Sequence, residues 1–264
     1  MKFYKKTAIL CSVICFILCA NFTQVQIWAT ENTAHNWYFK LSENNIPQTD
    51  EQFKFIENYN GYYFNPQAAK NDDKVIYLTF DAGYENGNIE KILDALNKHN
   101  AKGTFFVLEN LIKRNPELIC RMVNEGHTVA NHTATHPDMT KKTNLNDFKA
   151  ELDRLNECYQ ALTGETISPF YRPPEGKFSE SNLKFADQLG YKTIFWSFAY
   201  ADWDNAKQPD AEKSIQKILK RTHNGEIILL HPTSATNAQI MDTLLTEWEN
   251  MGYRFGLLTE LEGN

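Results

Sequence analysis

The chain has 264 residues, with 27 lysines and arginines against 33 aspartates and glutamates and a formal net charge of −6; the length suits one large domain better than two small ones. Three of the lysines and none of the carboxylates fall in residues 1–29, so the remainder carries 24 basic side chains against 33 acidic, a formal charge of −9. A body that acidic argues against nucleic acid and other polyanions as partners and favours a neutral or weakly charged ligand.

In chain order, Lys2, Lys5 and Lys6 precede an apolar run from Ala8 to Ala20 and a more polar stretch through Asn21, Gln24 and Gln26. That is the layout of a secretory signal with cleavage near Ala29. The run is short of the ~20 apolar residues of a membrane-spanning helix. Export is therefore expected, with an uncleaved anchor, and membrane association through it, left open. Three of the five cysteines lie in this leader. Cys120 and Cys158 remain, each inside an amphipathic pattern, and two buried free thiols are the better reading over a single disulfide. Residues 30–72 are polar and aromatic without sustained periodicity. They read as an extended segment laid over the surface of a catalytic domain at 73–264, and a monomer is expected.

From Val75 the chain alternates. Short apolar runs rich in β-branched and aromatic residues predict strands at Val75–Phe80, Gly103–Leu108, Thr128–His132, Pro169–Arg172, Thr193–Phe198, Glu226–Leu230 and Arg254–Leu258. Helical periodicity falls between them at Asn88–His99, Asn146–Leu162, Ser179–Leu189, Asp210–Thr222 and Ala238–Asn250. Asn88 and Ser179 stand as N-caps, and Gly126, Gly190 and Gly252 close helices. The alternation implies a parallel sheet. No glycine fingerprint for a dinucleotide or phosphate follows the first strand. The fold class expected is α/β, a distorted (β/α) barrel of about seven parallel strands.

In such folds chemistry sits beyond the carboxyl ends of the strands. Asp81 ends the first strand, His132 the third, Arg172 the fourth and His231 the sixth, while Asp202 follows the fifth. Each alone has an ordinary structural explanation: a strand-ending Asp, a solvated turn, a core histidine. Together, at successive strand ends, they imply one reactive face. His132 and His136, four residues apart, form a moderately specific metal pair.

These residues resemble the polysaccharide deacetylases with a NodB-homology domain, carbohydrate esterase family four. The family's motifs, roughly TFDDG, H-[ST]-x-x-H, R-x-P-x-G, a D-x-x-D-W type segment and L-x-L-x-H, find counterparts in order: Thr79-Phe80-Asp81-Ala82-Gly83, His132-Thr133-Ala134-Thr135-His136, Arg172-Pro173-Pro174-Glu175-Gly176, Asp202-Trp203 and Leu229-Leu230-His231. Tyr84-Glu85-Asn86-Gly87, Trp196-Ser197-Phe198-Ala199-Tyr200 and Trp37-Tyr38-Phe39-Lys40 are similar to the subgroup of muramic-acid de-N-acetylases that prepare muramic δ-lactam in spore cortex, acting on peptidoglycan strands freed of stem peptide.

The resemblance implies a hydrolase with a divalent metal, zinc, on His132 and His136, and with Asp81 as general base and His231 as general acid. It also implies that Arg172 orients Asp81, that Asp202 orients His231, and that the backbone N–H of Glu175 completes an oxyanion hole. Trp203 and Leu229 would wall a pocket for the acetyl methyl. The departure is Ala82, where the wider family has an Asp that ligates the metal; Glu85 or Asn86 are the nearby alternatives for an oxygen ligand. Two rival readings are a barrel glycosidase using Asp81 with Asp202 or Glu175, and a glycan-binding module that lost its metal at Ala82.

Overall fold

The computed structural model describes residues 32–41 and 45–261; the expected leader at 1–29 lies outside them. The chain first lays down three two-residue strands, β1 (His35–Asn36), β2 (Lys40–Leu41) and β3 (Pro47–Gln48). A nine-residue 3-10 helix, Glu51–Tyr59, leads into β4 (Gly61–Tyr62). The seven expected strands follow as β5 (Val75–Ala82), β6 (Thr104–Val107), β7 (Thr128–Asn131), β8 (Ser168–Tyr171), β10 (Lys192–Ile194), β11 (Glu226–Leu230) and β12 (Arg254–Gly256). A further short strand, β9 (Lys177–Phe178), pairs with β1.

β5 is the spine. Its sequence is almost continuously apolar because both faces are covered, as a central parallel strand requires. β11 pairs with Ile76–Phe80, while the opposite edge is shared end to end by β12 at Val75–Tyr77 and β6 at Thr79–Ala82. The order β11-β5-β6-β7-β8-β10 then curls until a parallel bridge between Phe198 and Ile228 brings the chain beyond β10 back to β11. The expected distorted barrel is present. Its distortion lies in two places: a register shift between Ala130 and Asn131 in the β7–β8 pairing, and β4, which pairs in parallel with β10.

β4 and the 3-10 helix correct the expectation of a merely extended N-terminal segment. Phe53 and Ile56 of that helix are buried with Trp37, Phe178 and Phe195 in an aromatic cluster under the sheet edge. Burial of those rings, rather than any periodicity, holds the segment in place. Ser179 caps its helix, accepting a hydrogen bond from the Asn182 amide at 3.2 Å. Asn88 does not cap with its own side chain; the carboxylate of Glu85 takes the first amides of the helix Ile89–Lys98 instead. Cys120 and Cys158 are free and only partly buried.

Strand parity decides which side chains face the barrel interior. On β5, Ile76, Leu78, Phe80 and Ala82 pack outward against the helices, and Val75 and Tyr77 pack inward. Thr79 and Asp81 continue the inward set. Phe106, Ala130, Phe170, Ile194 and Ile227 also face in. Two residues farther along each strand stand Leu108, His132, Arg172, Trp196 and Leu229, and His231 follows Leu229 by two more.

Candidate active site

The inward positions at the carboxyl end enclose a cleft of about 750 Å³ whose lining includes Asp81, His132, His136, Glu175, Trp203, Leu229 and His231. Arg172 and Asp202, both fully buried, stand behind it. All nine residues expected at the site therefore gather at one end of the barrel. Trp203 sits at the rim, 63 % exposed, whereas Leu229 is buried at 5 %.

One half of the cleft is organised around Arg172. Its Nη1 donates to Asp81 Oδ1 at 2.8 Å, its Nη2 to Thr79 Oγ1 at 2.8 Å, and its Nε to the Ile194 carbonyl at 3.0 Å. The guanidinium lies 4.2 Å from the Phe106 ring centroid, so a fully buried cation is both paired and stacked. Burial would raise the Asp81 carboxyl, but the charges of His132, Arg172 and His231 outweigh it and hold Asp81 below the usual carboxylate range. Burial lowers His132 to about 4, so at neutral pH the charge beside Asp81 is chiefly that of Arg172.

His132 Nδ1 lies 2.9 Å from the Arg172 carbonyl, which can only accept, so Nδ1 carries the proton. Nε2 is then a lone pair facing Asp81 Oδ2 at 3.5 Å. Two acceptors facing each other is an arrangement that a cation relieves. The His136 ring stands edge-on to His132 with centroids 4.9 Å apart. His136 is brought back by a tight loop in which Thr133 and His136 adopt φ of 72° and 58°, pinned by Thr133 N to Asn131 Oδ1 and His136 N to Thr133 Oγ1.

This donor set fits a metal held by two neutral imidazoles with open positions. Among the described residues no group of three His, Cys, Asp or Glu side chains is placed to hold one. The two alternatives to the missing Asp are committed elsewhere. Both Glu85 oxygens cap the helix Ile89–Lys98. Asn86 Oδ1 accepts from Asn88, and its Nδ2 donates to the Thr233 carbonyl. Ala82 is fully buried in the apolar cluster beneath the helices.

The other half is organised around Asp202. Its Oδ1 lies 2.7 Å from His231 Nδ1, and its Oδ2 accepts from the His231 amide at 2.8 Å and from Asn237 Nδ2 at 2.6 Å. Burial would lower the His231 imidazole, but the hydrogen bond and charge of Asp202 more than offset it and raise it. Asp202, saturated and buried, has no role open to it as one of two glycosidase carboxylates. Glu175 has φ of 57° and is followed by Gly176, where a Cβ would meet the Trp196 ring at 2.7 Å; only glycine fits there.

Sequence reasoning gave no role to Asn237, nor to Thr79 and Tyr84, which it quoted only within motif stretches; Tyr84 lines the cleft wall beside Gly83. Thr79 lies inside the first motif and two residues before Asp81, a parity signal that could have found it. Asn237 gave no signal beyond the ordinary composition of a helix start.

Residues 68–194 match the family model for polysaccharide deacetylase. Peptidoglycan-N-acetylmuramic acid deacetylase PdaA of Bacillus subtilis is 40% identical over 254 residues, covering 96% of this chain and 95% of that protein. The PdaA structure, a family 4 carbohydrate esterase, gives a TM-score of 0.82 at 40% identity over 87% of this chain and 97% of that one. A peptidoglycan-N-acetylglucosamine deacetylase of Bacillus cereus is 32% identical over 198 residues, 72% of this chain and 89% of that protein. A Bacillus anthracis pseudoenzyme of the same esterase family is 29% identical with a TM-score of 0.68, over 76% of this chain and 68% of that one. The chain belongs to the polysaccharide deacetylases of carbohydrate esterase family 4.

Proposed function

We propose that the protein hydrolyses the acetamide of N-acetylmuramic acid in peptidoglycan strands lacking stem peptide, the step that leads to muramic δ-lactam in spore cortex. The observation that carries the reading is the pair of separately oriented groups across one cleft: Asp81 held by Arg172, and His231 held by Asp202. The muramic reading draws on the Tyr84–Gly87, Trp196–Tyr200 and Trp37–Lys40 stretches and on the likeness to PdaA. Residues 1–29 are read as an export leader or anchor, which places the reaction outside the cytoplasm at the cell wall.

An acetamide is a poor electrophile, and its nitrogen cannot leave as an anion near neutral pH. His132 and His136 would hold a divalent cation, zinc by the family's pattern, and the chemistry such a cation supplies is a more acidic water and a polarised carbonyl. Asp81, kept ionised by Arg172, takes the proton of the attacking water. By the family's pattern the backbone N–H of Glu175 would donate to the oxygen that gains charge. His231, kept protonated by Asp202, gives its proton to the nitrogen as the C–N bond breaks, so acetate and a free amine leave. Leu229 and Trp203 border the space for the acetyl methyl.

The test is to treat peptidoglycan with and without prior stem-peptide removal and measure acetyl loss sugar by sugar. Loss from muramic acid in stripped strands alone is expected. Loss only from N-acetylglucosamine contradicts the muramic reading and leaves the esterase family intact. Binding without acetate release, with any divalent metal supplied, would establish instead a glycan-binding protein whose Ala82 ended catalysis.

A further inference from the structure

We propose that Asn237 is a positioning residue for the acid. Its side-chain amide holds the Asp202 carboxylate against His231, and Tyr200 anchors the other end of that amide. The proposal rests on the reading of His231 as the general acid.

Asn237 is fully buried in the first turn of the helix Ala235–Asn250, its own amide donating to the capping Ser234 hydroxyl at 3.2 Å. Its Nδ2 donates both to Asp202 Oδ2 at 2.6 Å and to the His231 carbonyl at 3.0 Å. Its Oδ1 accepts from the Tyr200 hydroxyl. A flipped amide would set its carbonyl against two acceptors, so these partners permit one orientation. Of the Asp202 oxygens, Oδ1 is spent on the imidazole, and Oδ2 has two donors, the His231 amide and Asn237. Remove Asn237 and Oδ2 keeps one donor. The carboxylate can then pivot, and the imidazole tips with it.

The chemistry suits an amide. A neutral donor satisfies the Asp202 carboxylate without competing for its charge, where a lysine or arginine at 237 would pair with the charge that His231 needs. The charged groups facing His231 are Asp202, Asp81 and Arg172. Tyr200 itself borders the cleft, so the chain Tyr200–Asn237–Asp202–His231 runs from substrate space, through the helix start, to the acid.

The experiment uses the full chain carrying Asn237→Leu, which keeps the volume and removes both hydrogen bonds of Nδ2, and Tyr200→Phe, which keeps the amide and removes the donor that anchors its Oδ1. In Asn237→Leu we expect kcat for acetate release to fall roughly 10- to 100-fold with KM within about twofold. The His231 imidazole pKa, read by NMR titration, should drop by about half a unit or more as the Asp202 contact loosens. Tyr200→Phe should move both readouts less, and add nothing in the Asn237→Leu background. A merely structural Asn237 would lower thermal stability and leave the His231 titration unmoved, which overturns the proposal. Should Asn237→Leu fold poorly, an unmoved titration in Tyr200→Phe overturns it as well. A titration that moves while the alkaline limb of activity stays in place upholds the positioning and removes His231 as the acid.

Discussion

The two halves of the cleft are built on different terms. On the acid side every polar atom of Asp202 and of the Asn237 side chain has a partner from the chain itself. On the metal side the guanidinium of Arg172 is equally well satisfied, yet the lone pair of His132 faces the carboxylate of Asp81, and Ala82 offers no donor atom. In the proposed reaction the chain preorganises proton transfer by itself, and electrophilic activation would fall to a cation held by His132 and His136. Preorganised dipoles cost no rearrangement during reaction; a two-ligand cation exchanges more readily with water.

The largest expected effect strikes both halves alike. Asp81→Asn and His231→Asn should each lower the rate of acetate release by about 10²- to 10⁴-fold, the usual worth of a positioned acid or base. Steady-state kinetics on stripped glycan strands checks this. If one substitution proves nearly silent, the symmetry of roles across the cleft is broken.

Next comes Ala82→Asp, which acts on the metal side alone. Ala82 closes β5 between two cleft-lining residues, Asp81 and Gly83. A carboxylate there, longer than the methyl and driven out of the apolar cluster, should turn toward His132 and His136 and raise affinity for a divalent cation at least about tenfold, since a third protein ligand lessens water competition. Because Ala82 is fully buried among apolar side chains, the metal-free variant should also melt at lower temperature. Isothermal titration with zinc and thermal melts read the two effects. Unchanged zinc binding would count against His132 and His136 as the ligands.

The smallest effect contrasts the two ends of β11. His231 follows its last residue and is fully engaged, whereas Glu226 at its start is buried with Oε1 lacking a partner among the described residues. Burial pushes the Glu226 carboxyl up to about 8. The unfolded chain releases this proton near the ordinary glutamate value, so between there and pH 8 the native state binds more protons and stability falls as pH rises. Glu226→Gln should therefore raise the melting temperature at pH 9 by about a few degrees and leave it nearly unchanged at pH 4. Equal shifts at both pH values would contradict a protonated Glu226.

Much of this was legible in the sequence because strand parity and strand ends are one-dimensional facts. Asp81, His132, Arg172 and His231 each close an apolar run, and alternation alone turns them to the inside. The barrel followed from the order of runs and helices. Two things were not legible. β4 is two residues long, and its place beside β10 is set by packing of Trp37, Phe53 and Ile56 rather than by any local pattern. Asn237 reaches Asp202 across 35 residues of chain, and in sequence it is indistinguishable from a residue at a helix start. The same limit applied to Glu85: sequence showed a carboxylate shortly after Ala82, and only the fold shows it spent on a helix cap.

The account stands most directly on His231 as the acid that Asp202 keeps charged. The measurement is the pH dependence of kcat/KM for acetate release, in the wild-type protein and in Asp202→Asn. The wild-type profile should show an alkaline limb above the ordinary histidine value of about 6.5, and Asp202→Asn should move that limb to lower pH as activity falls. An alkaline limb at or below the ordinary value, or one that Asp202→Asn leaves in place, would contradict it.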